Sequence, residues 1–393
     1  MRIAILNSDY PRFLLWLYTR EPQLADAPYS QQLRARTDTL FGTADFYSRA
    51  FEALGHEATE FYVNNCPLQA AWAREQGLLK LAQELSADSA SPRLPTIRRL
   101  VAPLRPYLKP LAHRLRLAMQ LTPSQRTVLR LQLEAFRPDI IFNQDAFYVD
   151  AAFLQSVKAS TGASLVCYLG KPLIGSEIFG YDLVVALLSS VVAMARQKGV
   201  RAMQSPLAFD PSVLSAVGSS ANKDIEVSFV GTVSEEHLGR IKMLEAVASR
   251  FDLRFFGTGL DTLSKSSPLR ACWGGEVWGR EMYEALHRSK ITLNSHIDAV
   301  STTEAGNMRL YEATGVGTFL LTDWREQLHE LYEPNRHLAT WRTPIDCVEC
   351  ITHYLSRDDE REAIARSGQE HTLANHTYGQ RARGLIEQFS LIA

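Results

Sequence analysis

The chain has 393 residues, of which 46% are hydrophobic and 22% charged, and its formal net charge is -1. This length favours two domains, and the composition is typical of a globular protein with a substantial core. A near-neutral charge excludes a general polyanion binder, so no nucleic-acid partner is expected. No apolar run reaches the roughly 18 residues that a membrane span needs. The odd number of cysteines and a start that resembles a strand rather than a signal peptide predict a reducing, cytoplasmic location.

Short apolar runs alternate with helical periodicity over residues 1–210. This continuous apolar character is typical of strands buried in a parallel sheet. A polar and aromatic loop is expected after the first strand, and then a helix over 41–54 that stops at Gly55. The predicted strands of this half are 2–6, 56–63, 139–143, 164–169 and 183–188.

A second run of the same kind follows a Gly-, Ser- and Asn-rich linker at 215–224. The predicted strands are 225–231, 253–256, 290–294 and 318–322, and the predicted helices are 235–250, 278–289, 307–314, 346–355 and 357–389. We therefore predict an α/β protein with an N-terminal domain at 1–215 and a C-terminal domain at 216–393. Clefts between domains are preferred ligand sites, so we expect the site there.

The segment 93–137 differs from its surroundings because it carries ten Arg or Lys residues and a single acid, Glu134. Prolines interrupt its first half, and apolar residues recur at helical spacing. We predict a basic helical insert in the N-terminal domain, at about residues 66–135. The segment 93–137 is either a solvated helical hairpin packed on the sheet or a surface for anionic lipid or a charged acceptor.

The most informative stretch is 290–323, where a strand, a polar loop, a short helix and a second strand follow one another. Ligands of open α/β sheets bind at strand ends, where Arg can meet phosphates and a carboxylate can accept from sugar hydroxyls. The stretch therefore predicts a nucleotide or nucleotide-sugar site. An i,i+3 salt bridge or a solvent-facing acid is the competing interpretation of its charges. The candidate residues are Asn294, Asn307, Arg309 and Glu312.

Two glycine-containing turns follow other predicted strands of this half. Gly231 and Thr232 end one strand, and the N-terminus of the next helix favours anions. Arg240 in that helix could reach a diphosphate or could be an exposed surface arginine. Gly257 lies in the sequence FFGTG, which would allow a tight turn under a nucleobase or sugar. Ordinary strand–helix turns are the alternative for both.

Two acids follow predicted strands of the first half. Asp9 follows the first strand and Asp145 follows the strand at 139–143. At these positions a carboxylate would face the cleft and could deprotonate an acceptor hydroxyl. Helix capping or turn formation is the alternative role for each.

Five motifs in order give the chain a resemblance to a known family: FVGT, FFGTG, SKITLN, NMRLYEATGVGTFLLTD and HTYGQR. Residues 225–385 resemble the CgeB-like (spore-maturation) glycosyltransferases, which are relatives of the group-1 GT-B enzymes. The resemblance implies two Rossmann-like α/β/α domains facing each other across a cleft, with the last helix packing back on the first domain. It also implies that the C-terminal domain holds the nucleotide-sugar donor and that no metal is bound.

The resemblance implies roles for several residues. Gly231 and Thr232 would line the diphosphate, with Arg240 or Arg309 supplying positive charge, and Glu312 would bind the donor ribose. Glu304 falls where the first glutamate of a two-glutamate pattern lies in retaining relatives. Its context, TTEAGN, departs from the aromatic-glycine context of those relatives, which leaves its catalytic role and the stereochemistry open.

These observations predict a metal-independent glycosyltransferase that uses a UDP-, GDP- or dTDP-linked sugar, with no cofactor. The acceptor would be a hydroxyl of a glycan, a protein or a lipid-linked molecule. Segment 93–137 is the candidate for peripheral contact at the inner face of the membrane. A sugar-nucleotide epimerase or phosphorylase and a non-catalytic binding protein are the competing functions, because a fold does not fix a function.

Overall fold

The computed structural model describes residues 1–90, 120–170, 178–218, 222–234, 237–296 and 303–393. The first sheet contains β1 (Arg2–Asn7), β2 (Glu57–Tyr62), β3 (Ile140–Asn143), β4 (Ser164–Leu169), β5 (Leu183–Ala186) and β6 (Ala202–Gln204). The second contains β7 (Ile225–Val230), β8 (Leu253–Phe256), β9 (Ser289–Asn294), β10 (Phe319–Asp323) and β11 (Ala339–Trp341).

Both sheets are parallel throughout, with the strand orders β2-β1-β3-β4-β5-β6 and β11-β10-β9-β7-β8. The predicted strands are confirmed with ends shifted by at most two residues. Strands such as β3 and β4 are buried at every position, which is why their sequences are continuously apolar. The short edge strands β6 and β11 were not predicted, because three residues carry too little periodicity.

Helices connect the strands of each sheet. Those of the first half are α1 (Pro11–Arg20), α2 (Tyr29–Asp38), α3 (Phe46–Glu52), α4 (Cys66–Glu75), α5 (Leu79–Ala90), α6 (Pro123–Phe136), α7 (Ala151–Thr161), α8 (Ser189–Gln197) and α9 (Ser212–Val217). Those of the second half are α10 (Leu238–Ala248), α11 (Arg280–His287), α12 (Met308–Gly315), α13 (Pro344–Leu355), α14 (Asp358–Asn375) and α15 (Tyr378–Phe389).

The predicted loop after the first strand is wrong, because α1 and α2 occupy most of it. Pro11 begins α1, where its missing N–H costs no hydrogen bond. Phe13 and Leu17 are one helical turn apart and both are buried, together with Leu24 of the following 3-10 turn. The apolar stripe is only two residues wide, so the sequence pattern did not distinguish it from a loop.

The helix predicted over 41–54 begins five residues later, at Phe46. Leu40, Gly42 and Ala44 all have positive φ, so the backbone before it forms a left-handed turn. The Phe41 ring is stacked on Phe13, with 4.4 Å between centroids, rather than lying on a helix face. Packing against α1 therefore decides where this helix starts.

The long helix predicted over 357–389 is interrupted between α14 and α15. His376 leaves the helical conformation, and its carbonyl accepts from the Phe209 amide at 2.8 Å. Thr377 then caps α15 in a reciprocal capping box with Gln380. The Tyr378 ring packs against Phe46 of the first half, with 5.1 Å between centroids. A contact distant in sequence thus redirects the chain towards α3.

The two halves also meet beside α1 and α2. The Trp278 ring makes an edge contact with Phe41, at 5.0 Å between centroids. The next residue, Gly279, has a φ of +53°, and a Cβ there would lie 1.9 Å from the Thr39 carbonyl oxygen. The Arg280 amide donates to that same oxygen at 2.8 Å. This close approach fixes the first half against the start of α11.

Parts of several predictions lie outside the described residues: 93–119 of the basic segment, 219–221 of the linker and 235–236 of a predicted helix. Peripheral membrane contact through the basic segment therefore stays a prediction. No helix in the described ranges is long and apolar enough to cross a membrane.

Candidate functional site

The predicted site residues cluster at one point of each sheet. β1 lies between β2 and β3, and β7 lies between β8 and β9, so the direction in which strands are added reverses at β1 and at β7. The place where the direction reverses is the switch point of the sheet. A crevice opens there at the carboxyl ends of the central strands, and open α/β sheets bind ligands in it. The segments after β1 and β3 border the first crevice, and those after β7 and β9 border the second.

Asp145 follows β3 and is half-buried. Its Oδ1 accepts from the backbone amides of Phe147 and Tyr148, each at 3.1 Å, which is the turn role considered above. Its Oδ2 accepts from the Ser8 hydroxyl and so joins the ends of β1 and β3. A carboxylate oxygen has two lone pairs, so Oδ2 can accept a second hydrogen bond from a substrate hydroxyl.

Asp9 is instead part of a buried ion pair with Arg36 of α2. Arg36 Nη2 lies 2.5 Å from Asp9 Oδ1, and Arg36 Nε lies 3.2 Å from both carboxylate oxygens. The guanidinium also lies 4.1 Å from the centre of the Tyr62 ring. Both carboxylate oxygens are thus occupied by the guanidinium, and the residue is buried. The geometry therefore favours Asp145 over Asp9 as the base.

Tyr10 lies between β1 and α1 and was not singled out from the sequence. Tyr10 is 65% exposed, and partial desolvation of its hydroxyl is the first cause that raises its pKa. The negative charges of Asp145 in the first half and Glu312 in the second raise its pKa further. Asp145 and Glu312, one from each half, therefore both lie near enough to Tyr10 to interact with it electrostatically.

A buried carboxyl group, Glu60 on β2, supports the segment after β1. Its oxygens accept from the Asn7 side chain and, at 3.1 Å, from the Ser48 amide. Burial raises the pKa of Glu60 to about 8, although these two hydrogen bonds act to lower it. The carboxyl therefore stays protonated in the folded chain at a pH where it ionises in the unfolded chain.

The raised pKa predicts that the wild type loses stability as the pH rises from about 4.5 to about 8. In that pH window the unfolded chain releases a proton and the folded chain does not. The free energy of unfolding therefore falls by up to about 1.4 kcal/mol for each pH unit. Glu60→Gln removes this loss, so its free energy of unfolding relative to wild type should rise with pH. Urea unfolding at several pH values measures it. Glu57→Gln, at an exposed position on the same strand, is the control. The prediction would be contradicted if the free energy of unfolding changed with pH in the same way in Glu60→Gln and in the wild type.

Gly231, Thr232 and Gly257 lie in two touching turns after β7 and β8. The Gly231 amide donates to the Phe256 carbonyl at 2.9 Å, and the Thr232 and Thr258 hydroxyls are 2.9 Å apart at the surface. Gly257 has a φ of +145°, and a Cβ on it would lie 1.9 Å from the Gly231 carbonyl oxygen. Glycine at 257 is therefore required for this close approach, and the paired hydroxyls face solvent beside it.

Arg240 is buried rather than exposed, and it binds backbone carbonyls. Its Nη1 donates to the Thr232 carbonyl at 2.6 Å and its Nη2 to the Ser295 carbonyl at 2.5 Å. It thereby joins the segments after β7 and β9, the two borders of the crevice. Arg240 therefore supplies a buried positive charge at the crevice. It also has a structural role, which the sequence did not predict.

The end of β9 carries Asn294, which the sequence selected, and a network of His296, Asp323 and Arg325, which it did not. Asn294 donates to the Thr322 hydroxyl at 2.9 Å. Beyond it, His296 Nδ1 lies 2.7 Å from Asp323 Oδ1, and Arg325 Nη2 lies 2.7 Å from Asp323 Oδ2. Burial would raise the pKa of Asp323, but the hydrogen bonds from His296, the charge of the His296 ring when it is protonated and the charge of Arg325 lower it to about 2. The sequence signal that could have indicated this network is a histidine two residues after the end of an apolar strand.

Helix α12 carries the candidate donor-binding pair. Asn307 caps the helix, with its side-chain oxygen accepting from the Arg309 amide at 2.7 Å. Arg309 Nη1 lies 2.9 Å from Glu312 Oε2, so the i,i+3 salt bridge is present, and both residues are buried. Burial raises the pKa of Glu312, and the charge of Arg309 opposes that rise. The acid therefore does not face solvent.

Glu304 contacts the first half of the chain. Its carboxylate accepts from the Ser189 hydroxyl at 3.0 Å and from the Ser190 amide and hydroxyl at 3.0 and 2.6 Å. These groups begin α8, where a negative charge is stabilised by the helix dipole. Glu304 thus joins the two halves across the cleft, a role that one sequence could not reveal.

None of the described residues form a cluster of three or more His, Cys, Asp or Glu side chains that could hold a metal ion. All five cysteines are free thiols, so the CxxC at 347–350 forms no disulfide.

Residues 240–387 match a protein-family model described as glycosyl transferase-like, which covers less than half of the chain. No curated protein matches the chain in sequence.

Solved structures match the chain along its whole length. HepE from Anabaena, in complex with UDP and glucose, has a TM-score of 0.56 at 11% identity, over 99% of both chains. A sucrose-phosphate synthase from Thermosynechococcus elongatus has a TM-score of 0.58 at 10% identity, over 100% of this chain and 99% of the other. The fold is GT-B. A glycosyltransferase from Rickettsia africae is similar at a TM-score of 0.56 and 10% identity, over 100% and 98%. The match to the glycosyl transferase-like family model lies within the second half of this fold.

Proposed function

We propose that the chain is a metal-independent hexosyltransferase of the CgeB-like group. It would move a sugar from a nucleoside diphosphate to a hydroxyl of a glycan, a protein or a lipid-linked acceptor. The family model and the GT-B fold support the reaction class. Complexes of the similar HepE with UDP and with UDP-glucose support a nucleotide-sugar donor. The free cysteines support a cytoplasmic location.

The observation that carries the proposal is the buried pair of Arg309 and Glu312 beside the switch point of the second sheet. Arg309 Nη2 also donates to the Val230 carbonyl at 3.1 Å, at the end of β7. Burying an ion pair is unfavourable unless the geometry is good, so such pairs are weak evidence of stability. An ion pair at the ligand crevice can instead recognise a nucleoside diphosphate. The carboxylate can accept hydrogen bonds from the ribose hydroxyls, and the guanidinium supplies positive charge nearby.

The reaction breaks the bond between the sugar C1 and the diphosphate oxygen and forms a bond from C1 to the acceptor oxygen. Negative charge grows on the departing diphosphate, so groups placed there before the reaction supply most of the catalysis. The paired Thr232 and Thr258 hydroxyls can donate to the phosphates, and buried Arg240 lowers the energy of negative charge in this crevice. Asp145 would take the proton of the acceptor hydroxyl from the opposite side of the cleft.

A ligand-binding experiment tests the proposal directly. Thermal unfolding is measured with UDP, GDP, dTDP, CDP and ADP, first with EDTA and then with magnesium. We expect one diphosphate to raise the melting temperature equally in both, because ligand at 100 times its Kd stabilises the folded state by about 2.7 kcal/mol. A shift that requires magnesium would contradict metal independence. The absence of any shift, with isothermal titration also showing no heat, would overturn the donor assignment.

A further inference from the structure

The ring of His296 has one nitrogen that the proposed function does not yet use. His296 is 6% exposed, its Nδ1 is bonded to Asp323, and its Nε2 is buried without a hydrogen-bond partner. It follows β9, which borders the switch point of the second sheet. A buried unpaired ring nitrogen is costly, so its retention at a ligand crevice calls for an explanation.

The surroundings fix the ring and its tautomer. Asp323 Oδ1 also accepts from the His296 backbone amide at 2.9 Å, and Asp323 Oδ2 accepts from Arg325 Nε at 2.8 Å. Asp323 is ionised near neutral pH because its pKa is lowered to about 2, so it can only accept. His296 Nδ1 must therefore carry a proton. Nε2 then holds a lone pair in the neutral ring and a second proton in the charged ring.

Among the described residues, which leave out 297–302, the charged groups near this end of β9 include two ion pairs. Asp323 and Arg325 form one pair, and Arg309 and Glu312 on α12 form another. Arg240 of α10 donates to the carbonyl of the residue before His296, and Asp346 in the first turn of α13 accepts from the Arg342 amide. α11 ends at the opposite edge of the sheet, before β9 begins. An arriving diphosphate would add negative charge beside the ring.

We propose that His296 takes up a proton at Nε2 when the donor diphosphate binds, and that the resulting N–H donates to a phosphate oxygen. This inference rests on the proposed function. The Nε2 lone pair forms an N–H bond with a proton supplied by water or buffer, no other bond forms or breaks, and the charged ring then faces the oxygen that departs with the diphosphate. An anion within hydrogen-bond distance favours the charged imidazole, just as the charged imidazole favours the anion. Donor binding should therefore weaken as the pH rises.

The test uses the whole 393-residue chain and the diphosphate that binds most tightly among UDP, GDP, dTDP, CDP and ADP. Isothermal titration between about pH 6 and pH 9 should show the affinity falling as the pH rises, by up to about tenfold per pH unit. Titrations at one pH in buffers of different ionisation enthalpy count the protons taken up. Wild type should show uptake that exceeds that of His296→Asn.

His296→Asn keeps a side-chain N–H near Asp323 and deletes Nε2, so it separates ligand contact from structural support. Its binding should be weaker at pH 6.5 and should approach wild type at pH 9. Ionisation of the diphosphate itself affects both proteins equally. His287→Asn is the matched control, because His287 also has one bonded nitrogen, Nδ1 to the Val316 carbonyl at 2.9 Å, and a buried unpaired Nε2. It lies at the other edge of the sheet and should leave the pH dependence unchanged.

The possible outcomes separate the two proposals. If wild type and His296→Asn show the same pH dependence of binding and take up the same number of protons, the role of His296 is rejected. The glycosyltransferase proposal would then still stand. Failure of all five diphosphates to bind would overturn the proposed function and this inference with it. A His296→Asn variant that binds weakly by the same factor at every pH would show a positioning role only and would also reject proton uptake.

Discussion

Replacing Glu312 by glutamine should weaken donor binding by roughly 10- to 150-fold. The amide can still meet ribose hydroxyls, but it forms no charge-assisted hydrogen bond, and such a bond contributes about 1.5–3 kcal/mol. Stability should fall as well, because Arg309 would remain buried beside Met282 and the Val230 carbonyl without a counter-charge. Breaking a buried ion pair in this way costs about 3–5 kcal/mol. Isothermal titration with the preferred diphosphate, well below the melting temperature of the variant, measures the affinity.

The double variant Glu312→Gln with Arg309→Met separates the two effects. Removing both charges should restore part of the stability, because no buried charge is left alone. Donor binding should remain weak, because the carboxylate is still missing. Glu333→Gln is the matched control: Glu333 and Arg336 also form an i,i+3 pair, but both are exposed, so neither property should change. Wild-type affinity in the folded double variant would reject the donor role of Glu312.

Gly257→Ala should abolish donor binding and lower the melting temperature strongly. Its Cβ would overlap the Gly231 carbonyl oxygen, so the turns after β7 and β8 would have to move apart. That movement would break the bonds that hold the Thr232 and Thr258 hydroxyls together. Backbone strain adds roughly 1–3 kcal/mol, because the φ of Gly257 is unfavourable for any residue with a Cβ. Thermal unfolding and titration with the diphosphate measure both effects.

Gly275→Ala provides the comparison for Gly257→Ala. Gly275 has a φ of +101°, its carbonyl accepts from the Gly257 amide at 2.9 Å, and a Cβ on it would meet no atom within 4 Å. This variant should carry the strain of positive φ without the overlap, so it should lose some stability and keep its donor affinity. Equal losses in the two variants would show that the close approach of the two turns has no role in binding.

The sequence was most informative where local pattern and burial coincide. Continuous apolar runs gave the strands, because both faces of a parallel sheet are covered. The polar residues that end those runs gave the site, because the carboxyl ends of parallel strands meet at one edge. Asp145, Asn294 and Glu312 were therefore accessible to sequence reasoning. The order of the strands in each sheet, which creates the crevices at these edges, could not be predicted from the sequence.

Long-range contacts decided the roles of the remaining residues. Asp9 and Asp145 each follow a strand, and only the approach of Arg36 distinguishes the ion pair from the candidate base. Arg240 could have been exposed, and its burial follows from two carbonyls that come together after β7 and β9. Glu304 is far in sequence from Ser190, whose amide it accepts from across the cleft.

By itself, the sequence determined two α/β halves, the strand ends that carry polar groups, and the resemblance that implied a GT-B glycosyltransferase. These follow from periodicity and from residue types at fixed spacing, which are local properties. The tertiary structure decided the start of α3, the break before α15, the joining of the halves through Glu304, and the free nitrogen of His296. These depend on which groups fold together from distant parts of the chain, and one sequence contains no direct record of such contacts.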